Sequence, residues 1–355
     1  MEITPYKVEG KVDYEKVIKK FGASKIDSNL KSKFKNLNLI KRDFFFAHRD
    51  LDKIIKKPFA IVSGRGPSEK MTLAHLQIFK FVKDMQDKFG CRVFIPISDD
   101  EKFLFNSKLE LEKAKKLAYE NALDIIALGF DPKKTEIIID FENMNQELYN
   151  LAIQCSKKIT FSTVKSAFGF DNNRNIGIGF YPAMQTAHIL YPTAKYNIPS
   201  LVVIGADQDV FVKLSRDVAH KLNLHKPGDI LSKFIPSLTG GSKMSSSDPK
   251  SAIYTDDSMK DIEKKMKSAF SGGKETIKEH RKHGGNPDID ISYLYLKLFL
   301  EDDEKKLNEI YKTYKSGAML TSELKEYTIK KLQSFLKTHQ KNRESSKKIA
   351  HKFIK

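Results

Sequence analysis

The sequence predicts an α/β fold, in which helices cover a parallel sheet, followed by an all-helical region. Three observations support this prediction. Short apolar runs typical of buried strands alternate with helical segments longer than about ten residues through the middle of the chain. Strand patterns stop near Asp256, and only helical patterns follow. With 355 residues, the chain is long enough for two domains.

Four apolar runs are the predicted strands, each bounded by turn residues: residues 59–62, 93–97, 136–139 and 201–204. Helices are predicted at residues 69–89 and 109–128, between these strands. Ligands of parallel α/β sheets bind beyond the carboxyl ends of the strands. Chemistry is therefore expected in the turns that follow Val62, Ile97 and Ile204.

Changes in pattern divide the chain into four predicted segments. Residues 1–57 are polar and Lys-rich and are predicted to be a helical N-terminal extension packed on the main domain. Residues 58–255 form the α/β domain, and residues 256–345 form the helical domain, with helices at 291–300, 305–314 and 321–354. Residues 346–355 are predicted to be the end of the last helix, which is strongly basic.

Charge and composition narrow the class of partner. The net charge of +18 favours a polyanionic partner, nucleic acid before membrane, although a Lys-rich solvated surface is the alternative. No apolar stretch is long enough for a membrane helix, and the N-terminus lacks a signal-peptide pattern. Because there are only two cysteines, a disulfide framework is not expected. A cytoplasmic protein that does not bind membranes is expected.

A Gly-rich turn joins the first predicted strand to the first helix. It contains Gly64, Arg65, Gly66 and Ser68, and His75 follows. Glycines let the backbone approach a ligand closely, and a helix N-terminus offers unpaired N–H groups to phosphate. Taken alone, such a turn is a weak signal for a nucleotide, and a lone helical His is more often structural.

A second motif raises the probability of a nucleotide site. Residues 240–248 form a small, polar loop with one cation, Lys243. Such a loop can close over a triphosphate, so that the Lys243 ammonium meets the charge developing on departing pyrophosphate. The alternative is a linker without a ligand.

These two motifs carry a resemblance. Residues 243–247 resemble the lysine signature loop of class I aminoacyl-tRNA synthetases, and residues 72–75 occupy the place of their His-x-Gly-His signature. The chain is similar in particular to the archaeal and eukaryotic tryptophanyl-tRNA synthetases. That similarity covers nearly the whole chain and includes residues 21–27, 64–68, 98–102, 182–185, 207–209, 216–218, 269–273, 280–281, 284–286 and 316–321.

The resemblance implies a Rossmann-like catalytic domain, a tRNA anticodon-binding helical domain and a function as tryptophan–tRNA ligase. ATP, Mg²⁺, tRNA and tryptophan are the implied ligands, no metal-binding side chain is assigned, and a homodimer is expected. The implied catalytic residues are Thr72, His75 and Lys243. The implied ATP-binding residues are Gly64, Arg65, Gly66, Ser68, Ala74, Met244, Ser245, Ser246 and Ser247. The implied amino-acid-binding residues are Val62, Pro96, Glu101, Gln185 and Gln208.

Four positions depart from the family pattern. Thr72 replaces the first signature His and Ala74 the signature Gly, so weakened activation is expected. Val62 and Pro96 stand where the family has the Tyr and Gln that accept the indole N–H of tryptophan. A buried N–H left unpaired costs about 1–3 kcal/mol. Two alternatives therefore stay open: a related protein with altered or lost amino-acid specificity, and a non-catalytic RNA-binding protein on the same scaffold.

Overall fold

The computed structural model describes residues 2–4, 7–9, 12–246 and 248–355, with the backbone alone for the first two ranges. The chain forms two compact units. The first comprises Met1–Lys70, Ile78–Lys233 and Ser346–Lys355, and the second comprises Met71–Gln77 and Phe234–Ser345. Of the domain boundaries predicted at residues 57, 255 and 345, only the last coincides with a limit of these units, at Ser345. The functional division of the chain stays a prediction. No described helix has the length and apolar character needed to cross a membrane.

Nine strands are present in the described residues: β1 (Glu2–Thr4), β2 (Lys7–Glu9), β3 (Ser24–Lys25), β4 (Phe45–Arg49), β5 (Ala60–Val62), β6 (Arg92–Ile97), β7 (Thr135–Ile139), β8 (Ser200–Gly205) and β9 (Gly228–Ser232). Strands β1 and β2 pair with each other. The other strands form a seven-stranded sheet in the order β3-β4-β9-β8-β5-β6-β7.

The predicted fold class is confirmed, with one correction to the sheet. Strands β9, β8, β5, β6 and β7 are parallel, as the alternation of strands and helices predicts. Strands β3 and β4 are antiparallel additions, so the sheet is mixed. The chain runs from β5 outward to β7 and then returns to β8 on the other side of β5. The reversal places the topological switch point between β5 and β8.

Twelve helices accompany these strands: α1 (Tyr14–Phe21), α2 (Ser28–Ser32), α3 (Asn38–Lys41), α4 (Leu51–Ile54), α5 (Leu73–Phe89), α6 (Asp99–Phe105), α7 (Leu111–Ile126), α8 (Asp140–Asn143), α9 (Gln146–Ser156), α10 (Phe161–Phe168), α11 (Ile176–Tyr196) and α12 (Asp209–Lys221). Several begin at side-chain caps, because a side-chain oxygen can accept from backbone N–H groups that lack helical partners. Asn145, Thr160 and Asn175 cap α9, α10 and α11 in this way.

The N-terminal region differs from the predicted helical extension, because it contributes two strands to the sheet. The backbone of Phe45–Arg49 is β4, and all five of its residues are buried. A run of apolar residues buried on both faces suits a strand inside a sheet. Arg49 is buried within the ion pairs that anchor this strand. Its guanidinium donates to Asp229 on β9, to Asp209 at 2.5 Å and to the Phe21 carbonyl at 2.6 Å.

The C-terminal segment also differs from prediction. The last long helix, α17 (Thr321–Ser346), ends before the predicted position, and a short 3₁₀ turn occupies Ala350–Lys352. Ile354 then forms a parallel bridge with Ile137 of β7. Phe353 is 1% exposed, so burial of this ring favours docking over continuation of the helix. The bridge covers backbone groups on an edge strand that would otherwise be open to pairing.

The second unit contains the helices α13 (Met259–Ser268), α14 (Ile277–His283), α15 (Ile291–Tyr295), α16 (Glu304–Lys315) and α17 (Thr321–Ser346), with a π-helical turn at Leu296–Leu300. Its core includes Leu307, Tyr314 and Leu324. Asp290 is fully buried; one carboxylate oxygen accepts from the Gly272 N–H at 2.9 Å and from the Tyr314 hydroxyl at 2.8 Å. These contacts join segments distant in sequence.

Replacing Arg49 with Met is expected to destabilise the fold by about 3–5 kcal/mol, because Asp229 would stay buried without its partner. Burial raises the pKa of Asp229 to about 6 even beside Arg49. A buried carboxyl group with a raised pKa is protonated at low pH and then carries no charge that needs a partner. The loss of stability in Arg49→Met should therefore be smaller at about pH 5 than at about pH 8. Urea unfolding at both pH values measures this. Lys25→Met removes an exposed ion pair with Glu15 and is the control. An Arg49→Met penalty equal to that control would contradict the assignment.

Candidate active site

The Gly-rich turn continues the sheet beyond β5. The Arg65 N–H donates to the Pro96 carbonyl at 2.9 Å, and the Ser98 N–H donates to the Arg65 carbonyl at 2.9 Å. A Cβ at Gly64 would lie 3.1 Å from the Pro96 carbonyl oxygen, which explains why a glycine suits this close approach. The turn is therefore held against the carboxyl end of β6.

Glu101 lies in the first turn of α6, beside this glycine turn. Its side chain is buried and pairs with Lys102, with 2.9 Å between Oε2 and Nζ. A Cβ at Gly66 would lie 2.5 Å from Glu101 Oε2. Gly66 therefore provides the space in which the Glu101 carboxylate lies.

Gln185 and Gln208 are held by different elements of the first unit. Gln185 lies on α11, and its Oε1 accepts from the Tyr181 hydroxyl at 3.0 Å. Gln208 ends a 3₁₀ turn directly after β8, and its Nε2 donates to Asp207 at 3.3 Å. The next residue, Asp209, is held by Arg49. The turn that carries Gln208 is thus anchored from β4.

Val62 and Pro96 are both buried in strands β5 and β6, as expected of apolar residues at those positions. Val62 is 1% exposed and packs in the main core with Phe94 and Tyr181. The Val62 and Pro96 side chains carry no hydrogen-bond acceptor. The structure thus agrees that these two positions are apolar, while their role in amino-acid binding stays a prediction.

A buried polar network beneath these residues was missed by sequence reasoning. His188 Nε2 lies 2.8 Å from Asp140 Oδ1, and neither side chain is exposed. Burial lowers the pKa of His188 to about 4, so the ring is neutral and shares a hydrogen bond with the carboxyl group. Burial raises the pKa of Asp100 to about 8, with the neighbouring Asp140 as a second cause. The Glu101 N–H donates to Asp100 Oδ1 at 2.6 Å, which links the network to the site.

Arg65 is the cation of the glycine turn. Its Nε donates to Asn121 Oδ1 at 3.3 Å. Burial lowers the pKa of Arg65 to about 10, while the charge of Glu101 opposes that shift. Among the described residues, Nη2 is buried without a hydrogen-bond partner. Arg65 can therefore donate to a ligand oxygen.

The second unit contains the histidine signature. The Thr72 N–H lies 3.2 Å from His75 Nδ1, and the Thr72 hydroxyl lies 2.9 Å from the same nitrogen. A backbone N–H only donates, so Nδ1 is the acceptor and the proton of a neutral His75 is on Nε2. Thr72 therefore fixes the tautomer of His75 without supplying a charge.

The lysine loop is joined to this segment by backbone pairing. Thr72 forms an antiparallel bridge with Tyr254, and the Leu73 N–H donates to the Ile253 carbonyl at 2.9 Å. The Tyr254 hydroxyl donates to the Ser246 carbonyl at 2.7 Å. Lys243 is exposed, with Nζ 5.2 Å from the Phe234 ring centroid. The structure thus joins the Thr72–His75 segment and the lysine loop within one unit.

The remaining predicted ATP-binding residues vary in exposure. Gly64 and Ser68 are exposed, Ala74, Ser245 and Ser246 are half-buried, and Met244 is buried. The Met244 N–H donates to the Ile235 carbonyl at 2.7 Å, and the Ser245 N–H donates to Ser251 Oγ at 3.3 Å. Ser247 lies outside the described residues. The ATP-binding assignments stay predictions.

Comparison with known proteins identifies the family. The model of the class I tRNA synthetases for tryptophan and tyrosine matches residues 54–337. The chain belongs to this family. The synthetase is 47% identical to the tryptophan–tRNA ligase of Sulfurisphaera tokodaii, over 99% of this chain and 94% of that one. It is 45% identical to that of Saccharolobus solfataricus, with the same coverage of 99% and 94%.

Solved structures give the same result. The Plasmodium falciparum tryptophanyl-tRNA synthetase has a TM-score of 0.87 and 40% identity, covering 94% of each chain. The tryptophan-bound enzyme of Encephalitozoon cuniculi has a TM-score of 0.87 and 34% identity, covering 98% of this chain and 99% of that one. The predicted family and enzyme class, an aminoacyl-tRNA synthetase, are confirmed.

Replacing Gly66 with Ala is expected to raise the KM for the amino acid about tenfold, because the added methyl group displaces the Lys102 side chain and the Glu101 carboxylate paired with it. The displaced atoms are the ends of flexible side chains, so the fold should persist. Amino-acid-dependent ATP–pyrophosphate exchange measures the KM. Gly179→Ala is the matched control, since its Cβ would lie an ordinary 3.6 Å from Phe161. An unchanged KM in Gly66→Ala would remove Glu101 from the amino-acid site.

Proposed function

We propose that this synthetase is a tryptophan–tRNA ligase, which activates tryptophan with ATP and transfers it to tRNA. The observation that carries the proposal is the backbone pairing of Thr72 with Tyr254, which joins the histidine signature to the segment after the lysine loop. The relatives that cover nearly the whole chain are tryptophan–tRNA ligases, which supports tryptophan as the amino acid.

The first step forms the adenylate. A carboxylate oxygen of tryptophan attacks the α-phosphorus of ATP, and the bond to the bridging oxygen of pyrophosphate breaks. This chemistry depends on positioning and on stabilising negative charge, with no proton transfer by the protein. We assign charge stabilisation to the Lys243 ammonium and hydrogen bonding to the His75 Nε2–H. Thr72 supports the latter role, because it holds the Nδ1 side of the ring at 2.9 Å.

Amino-acid binding is assigned to the first unit. Glu101 offers a negative charge to the substrate ammonium, and Gln185 and Gln208 offer amide groups to its polar atoms. The half-buried positions of both glutamines support this assignment, since a ligand-binding side chain needs access to the ligand. Val62 and Pro96 are assigned to the apolar wall for the side chain.

The second step transfers the aminoacyl group to tRNA. A hydroxyl of the 3′-terminal ribose attacks the carbonyl carbon of the adenylate, and AMP leaves. The second unit supplies basic residues for the phosphate backbone: Lys337 and Lys341 are exposed on α17. When exposed lysines neutralise tRNA phosphates, the counterions bound to those phosphates are released. The affinity for tRNA should therefore fall as the salt concentration rises.

Mg²⁺ is proposed to arrive with ATP as part of the substrate. Asp99, Asp100 and Asp140 have carboxylate oxygens within 4.8 Å of one another, which is a metal-like arrangement. The group does not fit a resident Mg²⁺, because burial raises the pKa of Asp100 to about 8 and Asp140 already shares a hydrogen bond with His188. Mg²⁺ commonly binds through substrate phosphates with few protein ligands.

A homodimer and a cytoplasmic location complete the proposal. Four large apolar side chains are exposed on α9, α10 and α11, namely Tyr149 (51%), Ile153 (45%), Phe161 (66%) and Ile176 (94%). Large apolar side chains exposed on these helices support a protein interface there. Buried, unpaired Cys91 and Cys155 agree with a reducing compartment.

Tryptophan is expected to support ATP–pyrophosphate exchange by the parent protein. Lys243→Ala is expected to reduce the kcat of this exchange about 10²–10³-fold, because the negative charge on departing pyrophosphate would lose the cation that stabilises it. Lys250→Ala, which removes another exposed lysine from the same loop region, is the control. The other amino acids are assayed in parallel. Exchange with a different amino acid would establish altered specificity, and none with any amino acid would favour the RNA-binding alternative.

Replacing Ile176 with Asp is expected to weaken self-association at least about tenfold, because a charge would be buried in the interface. Sedimentation equilibrium measures the dimer dissociation constant. Ile277→Asp is the control, since Ile277 is 68% exposed but lies in the second unit. Equal dissociation constants for the two variants would place the interface elsewhere.

A further inference from the structure

The amino-acid site contains no polar side chain at the strand positions where indole recognition is expected. Val62 pairs with Phe94 in the parallel ladder, so both side chains project from the same face of the sheet. Pro96 follows Phe94 by two residues and shares this face. If tryptophan is the substrate, its ring N–H must find an acceptor elsewhere or stay unpaired.

Polar atoms reappear directly beyond this apolar wall. Ser98 follows Pro96 by two residues and is buried. Tyr181 is 3% exposed and belongs to the same core as Val62 and Phe94. The Tyr181 ring thus lies among the residues of the apolar wall, while its hydroxyl lies with the polar residues.

The hydrogen bonds of Tyr181 define what its oxygen can do. The hydroxyl proton is donated to Gln185 Oε1 at 3.0 Å. The lone pairs of the Tyr181 oxygen remain available as acceptors. A phenol oxygen oriented by Gln185 is a neutral acceptor, which suits the N–H of a neutral ring.

The neighbouring polar groups are less suited to this role. The acceptor atom of Gln185, Oε1, already accepts from Tyr181. The two amide N–H groups of Gln185 are donors and cannot accept the indole N–H. Glu101 is charged and pairs with Lys102, which suits an ammonium group better than an indole. Asp100 accepts from the Glu101 N–H and interacts with Asp140.

We propose that the Tyr181 hydroxyl oxygen accepts the indole N–H of tryptophan and is a specificity-determining residue of this synthetase. The inference rests on the proposed function as a tryptophan–tRNA ligase. It places recognition of the ring on α11 instead of on strands β5 and β6. The acceptor stands four residues from Gln185 on the same helix face, so one turn of helix would contact both the ring and the polar end of the amino acid.

Tyr181→Phe removes the hydroxyl and keeps the ring, and two substrates separate its possible roles. Tryptophan has the N–H, and 3-benzothienylalanine has a sulfur atom in its place with a similar shape. The measurement is kcat/KM for amino-acid-dependent ATP–pyrophosphate exchange, with ATP held constant. The parent is expected to prefer tryptophan by about ten- to hundredfold. In Tyr181→Phe the tryptophan value should fall by that factor, while the sulfur analogue should be unaffected.

Other outcomes overturn the inference in distinguishable ways. An equal loss for both substrates would mean that Tyr181 acts only through Gln185, and no loss for either would mean that it has no role in recognition. Tyr119→Phe, which removes an exposed hydroxyl, is the matched control. Near-ultraviolet circular dichroism checks that Tyr181→Phe keeps its packing. A parent without tryptophan-dependent exchange would overturn the proposed function as well, whereas an active parent with an unchanged preference in Tyr181→Phe would overturn this inference alone.

Discussion

The buried guanidinium of Arg49 is the interaction on which the arrangement of the first unit depends. It lies between Asp209 and Asp229, which belong to α12 and β9, and it is itself part of β4. A carboxylate inside a core is unfavourable without a partner, so removal of the cation would leave the Asp229 charge uncompensated, whereas Asp209 would keep its ion pair with Lys213. The same group also accounts for the placement of Gln208, because the turn that carries this residue ends at Asp209. The architecture and the proposed amino-acid contact of Gln208 are therefore linked through one side chain contributed by the N-terminal region.

The chemistry of the first unit is concentrated where parallel strands end. The glycine turn after β5, Ser98 after β6, Asp140 after β7 and Gln208 after β8 all occupy this edge. Two glycines are needed at this edge because they lack a side chain. Gly64 lets the backbone approach Pro96, and Gly66 leaves space for Glu101. Asp140 and His188 share one hydrogen bond in the layer beneath, while Asp140 Oδ2 and His188 Nδ1 are buried without a hydrogen-bond partner among the described residues. The apolar strand ends and the acidic network are thus successive layers of the same edge.

The sequence predicts the parts of this structure whose signals are local. Apolar runs at 59–62, 93–97, 136–139 and 201–204 correspond to four of the parallel strands, each to within one residue at either end. Strands β3, β4 and β9 escaped prediction, because their membership of the sheet depends on partners far along the chain. Tyr181 and His188 were missed for a similar reason: a polar residue on a helix gives no sign of what lies opposite it. The four-residue spacing of Tyr181 and Gln185 is the one signal that could have drawn attention to the pair. The pairing of Thr72 with Tyr254 likewise requires contact between distant segments.

The docked C-terminal segment has a consequence for the order in which the protein can be made. Residues 346–355 belong to the first unit, yet they follow the whole of the second unit along the chain. A ribosome synthesises the chain from its N-terminus, and domains generally begin to fold as they emerge. The edge of β7 must therefore wait, uncovered by Phe353 and Ile354, until the helices of the second unit have been synthesised. During translation, completion of the catalytic sheet is coupled to delivery of the helical unit, so that a truncated nascent chain lacking the final ten residues would expose an unpaired strand edge.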